Sequence, residues 1–489
     1  MGFSLGLRRA FAGARREQPS RTASRRAFGA FIGPAMLVSV GYMDPGNWAT
    51  DLEGGARFGY ELYDLRRPGP RARRVLVVSN AMAWLLQMLS VRLGAVSGLD
   101  LASACRVYFS KTVATWLWIL AELAIMACDL AEVLGSAVAL NLLFGIPLVA
   151  GAILTVVDVL LIFELGRRAR GLERFVGALL LTIAACLALE VFWAKPDFAS
   201  MGGGLVPKIR GENLYLAIGI LGATVMPHNL YLHSALAPSI PPDATREERD
   251  RCLRRTSIST GIALNAALFL NAAILVLAAA VFYSRRLVVS DLSDAHRLLA
   301  PLMGTGFASL LFGVALLCSG QTSTITGTLA GQIVMEGFLN WNVSPVLRRL
   351  LTRAIALVPA LTVLAIAGPA GVMPLLVASQ VALSLQLPFA VVPLLRLTNS
   401  KSVMGEYTNS LRARWAASVC AGLVVTANLF LVLRTAREMH AASPLGAYVF
   451  SGFALIVFGF LFRVFRTPLR VGVERESRDY AVHLAERVL

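Results

Sequence analysis

The chain has 489 residues, 56% of them apolar and only 15% charged, with a mean hydropathy of +0.66. That composition excludes a string of ordinary soluble domains and points to lipid as the solvent. A formal net charge of +17 would suggest nucleic acid as a partner of a soluble protein, but here the basic residues fall mainly in alternate loops between apolar runs, which implies a membrane topology and no nucleic acid.

In chain order, residues 1–28 are a basic arm with Arg8, Arg9, Arg15, Arg16, Arg21, Arg25 and Arg26. Its Arg-rich, acid-poor composition also fits a transit peptide, and it is read as a cytoplasmic arm. About twelve apolar runs follow, at 29–58, 75–98, 113–141, 144–165, 171–193, 214–236, 257–284, 303–326, 350–368, 373–396, 414–434 and 445–464. Each approaches the roughly 20 residues that a bilayer core demands. Basic clusters at Arg167/Arg168/Arg170, Arg246 to Arg255, Arg348/Arg349/Arg353, Arg396 to Arg414 and Arg463 to Arg470 are assigned to the cytoplasmic face, with both termini on that side. The six cysteines, at 105, 128, 186, 252, 318 and 420, have no metal-finger spacing and are read as packing residues.

Two runs contain an interruption. The first carries Asp44-Pro45-Gly46-Asn47 and the sixth Met226-Pro227-His228-Asn229, both of the form x-Pro-x-Asn. Proline removes a backbone donor and Gly46 tolerates unwinding, so each tetrad should split its helix. Interruptions in corresponding positions, five helices apart, mark a transporter of inverted repeats. The expected division is therefore 29–193 (first repeat), 214–396 (second repeat), two further helices over 414–464, and a cytoplasmic tail at 465–489.

Asp44 at membrane depth, where an unpaired carboxylate costs at least about 2.5 kcal/mol, is a functional candidate by default. With Asn47, Met226 and the unwound carbonyls of Gly41 and Ala223 it offers a mixed hard and soft cage. A thioether adds affinity for softer ions and little for Mg²⁺ or Ca²⁺, which makes Met226 the candidate selectivity residue. In the third run Glu122, Asp129 and Glu132 share one helix face. Such acids mark ion or proton paths, with His228, His233 and the arginines around 348–353 as partners. The two histidines, five apart, cannot clamp one zinc as an HExxH pair does, and proton handling suits them better. Gln380, Gln386, Asn265 and Asn271 read as helix glue at membrane depth, with Gln380, beside Ser379, also a cavity candidate. Ser319 to Thr324, continuing to Gly331, reads as a small-residue packing face and not as a site.

Residues 28–465 closely resemble the Nramp (natural resistance-associated macrophage protein) divalent metal transporters. The most specific stretches are Asp44-Pro45-Gly46-Asn47-Trp48-Ala49-Thr50-Asp51 and Gly222 to His233, joined by Ser319 to Phe338, Ser379-Gln380-Val381 and Leu385-Gln386-Leu387-Pro388. The resemblance implies an all-α, LeuT-like 5+5 inverted repeat and proton-coupled uptake of Mn²⁺, Fe²⁺ and related ions by alternating access, in a bacterial inner membrane. It implies metal ligands Asp44, Asn47, Met226, Ala223, Gly41 and Gln380. It implies a proton pathway through Asp44, Asp129, Glu132, His228, His233 and Arg353, and gate positions at Gln87 and Thr224. Relatives carrying Mg²⁺ or Al³⁺ lack the methionine, which places this chain with the transition-metal branch. No resident cofactor is implied, since the metal is cargo and the proton the coupling ion, and a monomer suffices. One departure is an insertion around Tyr63 to Arg74 with Arg66, Arg67, Arg71, Arg73 and Arg74, placed on the extracellular side against the positive-inside trend.

Two other functions fit parts of the pattern less well. A Na⁺-coupled carrier of organic solutes shares the broken helices, but Asp44 would repel a substrate carboxylate. An intramembrane enzyme lacks both a metal-protease motif and a serine dyad.

Overall fold

The computed structural model describes residues 34–58, 72–156, 169–196 and 214–470, apart from 239, 241–243, 288, 290, 342 and 343. The basic arm at 1–28, the arginine-rich insertion up to residue 71 and the tail beyond 470 lie outside the described residues.

Helices follow one another throughout. They are α1 (Pro34–Met43), α2 (Pro45–Phe58), α3 (Ala72–Ser97), α4 (Leu101–Tyr108), α5 (Lys111–Phe144), α6 (148–156), α7 (Ala169–Ala194), α8 (Leu214–Thr224), α9 (Pro227–Ala235) and α10 (Arg246–Val281). Then come α11 (Leu292–Met303), α12 (Phe307–Leu339), α13 (Pro345–Ala367), α14 (Val372–Thr398), α15 (Leu411–Ala442) and α16 (Pro444–Arg466). Local chemistry sets many of their ends. Ser110, Thr245, Ser344, Ser410 and Ser443 accept from backbone N–H groups at helix starts, and Gly145 and Gly304 close α5 and α11 in the left-handed region that favours glycine.

A helix stands at each of the twelve expected spans. By length and hydropathy alone, however, seven described stretches qualify as crossings, or eight if the bent pair formed by α3 and α4 is one span. Three causes account for the difference. The first and sixth spans are pairs of half-helices, each too short alone; the fourth is described only over 148–156; and Val346–Thr398 joins two spans, α13 and α14, at the 3-10 turn Gly368–Gly371.

The core sits where α5, α12 and α14 meet the half-helices. α12 packs on α5 and α7, α14 on α8 and α5, α10 on α2, and α9 on α3 and α12. Outside this, α15 and α16 pack on each other and show Trp415, Leu423, Phe430, Tyr448, Phe453, Leu455 and Ile456 outward, the surface expected of helices in lipid.

Candidate functional site

The residue before a proline is pushed out of the α region, and both breaks obey that rule. Asp44, before Pro45, has φ −68° and ψ 163°; Met226, before Pro227, has φ −72° and ψ 122°. In a continuous helix the carbonyl of residue i accepts from the N–H of i+4. For Gly41 and Ala223 that residue is Pro45 or Pro227, which has no N–H. Pro227 therefore leaves the Ala223 carbonyl without its helical donor, whereas the chain tightens to a 3-10 turn over Gly41–Met43, whose i→i+3 pattern gives the Gly41 carbonyl the N–H of Asp44; both carbonyls lie at the C-terminal, partially negative ends of α1 and α8.

The neighbouring freed carbonyls are satisfied. Asn47 Nδ2 donates to Tyr42 O at 2.7 Å and Asn271 Nδ2 to the same oxygen at 2.8 Å, while Ser319 Oγ donates to Met43 O. Asp44 caps α2: its Oδ1 accepts from Asn47 N at 2.8 Å, and its Oδ2 accepts from Gln380 Nε2 at 3.2 Å. Glycines make the approach of Gln380 possible. A Cβ on Gly46 would lie 1.7 Å from Gln380 Nε2, and one on Gly222 would lie 2.1 Å from Gln380 O. On the other side, Asn229 Nδ2 donates to Met226 Sδ at 3.6 Å, and a Cβ on Gly41 would lie 2.5 Å from the same nitrogen. Gln380 thus ties α2 and α8 to α14, and Asn229 ties the end of α1 to the start of α9. Asp44, Asn47, Met226, Ala223 and Gln380 are at most 1% exposed, so the cage is closed over.

Beside the cage lies a charged cluster. Arg349 bonds Asp129 through Nη1 and Glu132 through Nη2 (2.5 Å), and Arg353 Nη1 reaches Glu132 at 3.5 Å, all four side chains being fully buried. Ser323 Oγ donates to Glu132 at 3.0 Å, and Arg353 Nη2 donates to Thr324 Oγ1 at 3.0 Å. Nearer the helix end, Arg348 holds Glu122 at 2.8 Å. The link towards the cage is Cys128, whose Sγ is 3.6 Å from Glu132 Oε1 and 3.9 Å from His228 Nε2.

Several expectations require correction. Arg348, Arg349 and Arg353 are not loop charges: they are buried in α13 against the third span. Ser319 to Gly331 is more than a packing face, because its hydroxyls bond Met43, Glu132 and Arg353, and Gly327 and Gly331 make room for Glu132 and Arg348. Asn265 is exposed and donates to Gly261 O of its own helix, so it glues nothing, whereas Asn271 braces the first break. His233 stands away from the acidic cluster, its Nδ1 2.8 Å from Gln87 Oε1, and Gln87 Nε2 donates to Tyr42 Oη at 2.7 Å. The Thr224 hydroxyl is bonded within α8, to Ile220 O at 2.7 Å.

The arginines around 348–353 meet the acids as expected, with the i, i+4 pair Arg349 and Arg353 set against Asp129 and Glu132. Sequence reasoning missed two residues. Asn229 was noted only as part of its tetrad. Glu190, in the fifth span, is fully buried with neither oxygen bonded among the described residues, and its place as a lone acid in an apolar run was the available signal.

Comparisons with known proteins agree with this architecture. Residues 35–434 match the model of the family described as natural resistance-associated macrophage protein-like. A relative named divalent metal cation transporter MntH, from Xanthomonas campestris pv. campestris, is 52% identical over 409 residues, covering 82% of this chain and 90% of the relative. A natural resistance-associated macrophage protein 2 homolog from Dictyostelium discoideum is 47% identical over 411 residues, covering 83% of this chain and 64% of its own. A crystal structure of a mutant manganese transporter from Eremococcus coleocola superposes with TM-score 0.80 at 32% identity, covering 97% of this chain and 98% of that one. The nucleobase-cation symporter Mhp1, at 14% identity and TM-score 0.56 over 92% of this chain and 96% of its own, shares the fold alone, that of the LeuT-like inverted repeat. With its two proline-broken helices and this extent of likeness, the chain belongs to the Nramp family.

Proposed function

We propose that this protein imports divalent transition-metal ions, Mn²⁺ and Fe²⁺ among them, across a bacterial inner membrane by proton-coupled alternating access, with both termini cytoplasmic. The observation that carries the reading is the closed cage at the two breaks. It combines one carboxylate, two carboxamides (Asn47 and Gln380), the Met226 thioether and the Gly41 and Ala223 carbonyls at the two breaks. The names of the relatives, divalent metal cation transporter and manganese transporter, support it.

Cargo enters from outside, exchanges most of its water for these donors, and the half-helices close behind it. Carbonyl and carboxylate oxygens suit any divalent cation, so discrimination against Ca²⁺ and Mg²⁺ falls to the sulfur. A cation arriving beside Asp44 repels a proton held there. Asp129 and Glu132 are the nearby acids able to receive it and pass it inward, and Arg349 and Arg353 stabilise them when ionised. Metal and proton are thereby linked without sharing one route.

The test is Mn²⁺ uptake into proteoliposomes carrying wild type or Met226→Ala, with excess Ca²⁺ or Mg²⁺ outside and lumenal pH recorded. Wild type should take up Mn²⁺ despite the competitors and acidify the lumen, while the variant should become sensitive to Ca²⁺. Uptake that neither moves protons nor responds to a pH gradient would refute the coupling, and an unchanged ion preference in the variant would refute the role of sulfur.

A further inference from the structure

We infer that Asn229 is a specificity-determining member of the cage: its carboxamide holds the Met226 thioether in place and presents its own oxygen to the cargo. The inference rests on the reading of the cage as a metal site and adds a residue to it.

Asn229 is fully buried in the first turn of α9. Its Nδ2 donates to Met226 Sδ at 3.6 Å, and its Oδ1 is bonded to nothing among the described residues. A buried amide oxygen without a partner destabilises the fold, a cost that a site retains when a ligand relieves it. The opposite orientation of the carboxamide would set oxygen against sulfur, two acceptors, so the donor belongs on the sulfur side, and both ends of the amide lie close against Gly41 at the end of α1.

Gly41 explains how the oxygen gets there. A Cβ at position 41 would lie 2.5 Å from Asn229 Nδ2 and 2.9 Å from its Oδ1, so any larger residue displaces the carboxamide. Gly41 has no positive φ, so the absence of a side chain matches the need for space and not a backbone requirement. The carboxamide thus bridges a candidate carbonyl ligand, Gly41, and the candidate sulfur ligand, Met226.

Two consequences follow. Methionine has three rotatable bonds and fills whatever space it is given, so a thioether meant to meet a cation needs an anchor, and the N–H from Asn229 supplies one. The free Oδ1 adds a hard donor beside the soft one, which favours borderline ions such as Mn²⁺ and Fe²⁺ over purely thiophilic ones such as Cd²⁺.

The experiment is Mn²⁺ and Cd²⁺ binding to the purified full-length protein by calorimetry, comparing wild type, Met226→Ala, Asn229→Leu, Gly41→Ala and the Gly41→Ala/Asn229→Leu double variant. Asn229→Leu should weaken Mn²⁺ by about 10-fold, as loss of a ligand-orienting partner does, and weaken Cd²⁺ less. Gly41→Ala, which leaves Asn229 chemically intact, should reproduce that shift and guards against a misfolded Asn229→Leu. The double variant should lose no more than either single one, because both remove the same contact. If Met226→Ala weakens Cd²⁺ while Asn229→Leu and Gly41→Ala leave both metals unchanged, the inference about Asn229 is overturned and the cage stands. If Met226→Ala also changes nothing, the cage itself is overturned. Multiplicative losses in the double variant would show that the two residues act separately, which also overturns the inference.

Discussion

Two polar regions lie side by side in the membrane interior, and they are built on opposite rules. In the cage at the two breaks a single carboxylate is surrounded by neutral amides and a thioether, and acceptors are left over: the Ala223 carbonyl, which has Pro227 where its helical donor would be, and the amide oxygens of Gln380 and Asn229. In the cluster between α5, α12 and α13, Asp129 and Glu132 are matched by Arg349 and Arg353 and trimmed by Ser323 and Thr324. The first region has electron pairs waiting for a cation; the second supplies its own. Asp129 Oδ2 is left unbonded in the cluster too, so a buried cation site and a buried charge network are told apart by whether arginines already answer the acids, not by how many acids are present.

Breaking the cluster should have the largest effect. Arg349→Leu leaves two acids at full burial with one remaining arginine, and removal of one partner from a buried pair costs about 3–5 kcal/mol. Arg348→Leu should cost less, because Glu122, the carboxylate it would leave behind, is 16% exposed and keeps some access to solvent. Thermal unfolding of the purified variants in one detergent decides this, and equal losses would mean that the two pairs are equally buried in energetic terms. Next is the framework of the cage: Gly222→Ala drives a methyl into the backbone of α14, with Gln380 O only 2.1 Å away, and overpacking of this kind costs about 1–3 kcal/mol. Gly46→Ala meets only the mobile end of Gln380, so it should leave stability nearly intact while weakening metal binding, a split visible by comparing melting with calorimetry. Glu190 belongs to neither region. Replacing this acid, which has no partner among the described residues, by leucine should raise stability by about 1 kcal/mol, and a fall in melting temperature would contradict that reading. The smallest effect is expected for Asn265→Leu on the exposed face of α10, within about 0.5 kcal/mol of wild type.

The helix breaks were legible because they follow from local rules: proline lacks a donor and constrains the residue before it, whatever the tertiary surroundings. The ligand set around Asp44 and Met226 was legible for the same reason. The arginines around 348–353 were legible as partners of the acids, but not which arginine meets which acid. Arg348, Arg349 and Arg353 look alike in a basic run, and only the packing of α13 on α5 decides that two of them face Glu132 while Arg348 faces Glu122. Asn265 and Asn271 illustrate a readable distinction that went unread, since six residues place them about 120° apart on one helix and they cannot both face inward. The hydroxyls of α12 were mistaken for packing because small residues serve both purposes in membranes, and their role appears only with the carbonyl of Met43 and the charges opposite them.

The most direct test of the contrast between the two regions is anomalous scattering from crystals of this protein grown with Mn²⁺. The account predicts one strong peak within bonding distance of Asp44, Asn47, Met226 and at least one of the Gly41 and Ala223 carbonyls, and none at Asp129 and Glu132. A peak between those two acids, with Arg349 displaced and the helix breaks empty, would contradict it.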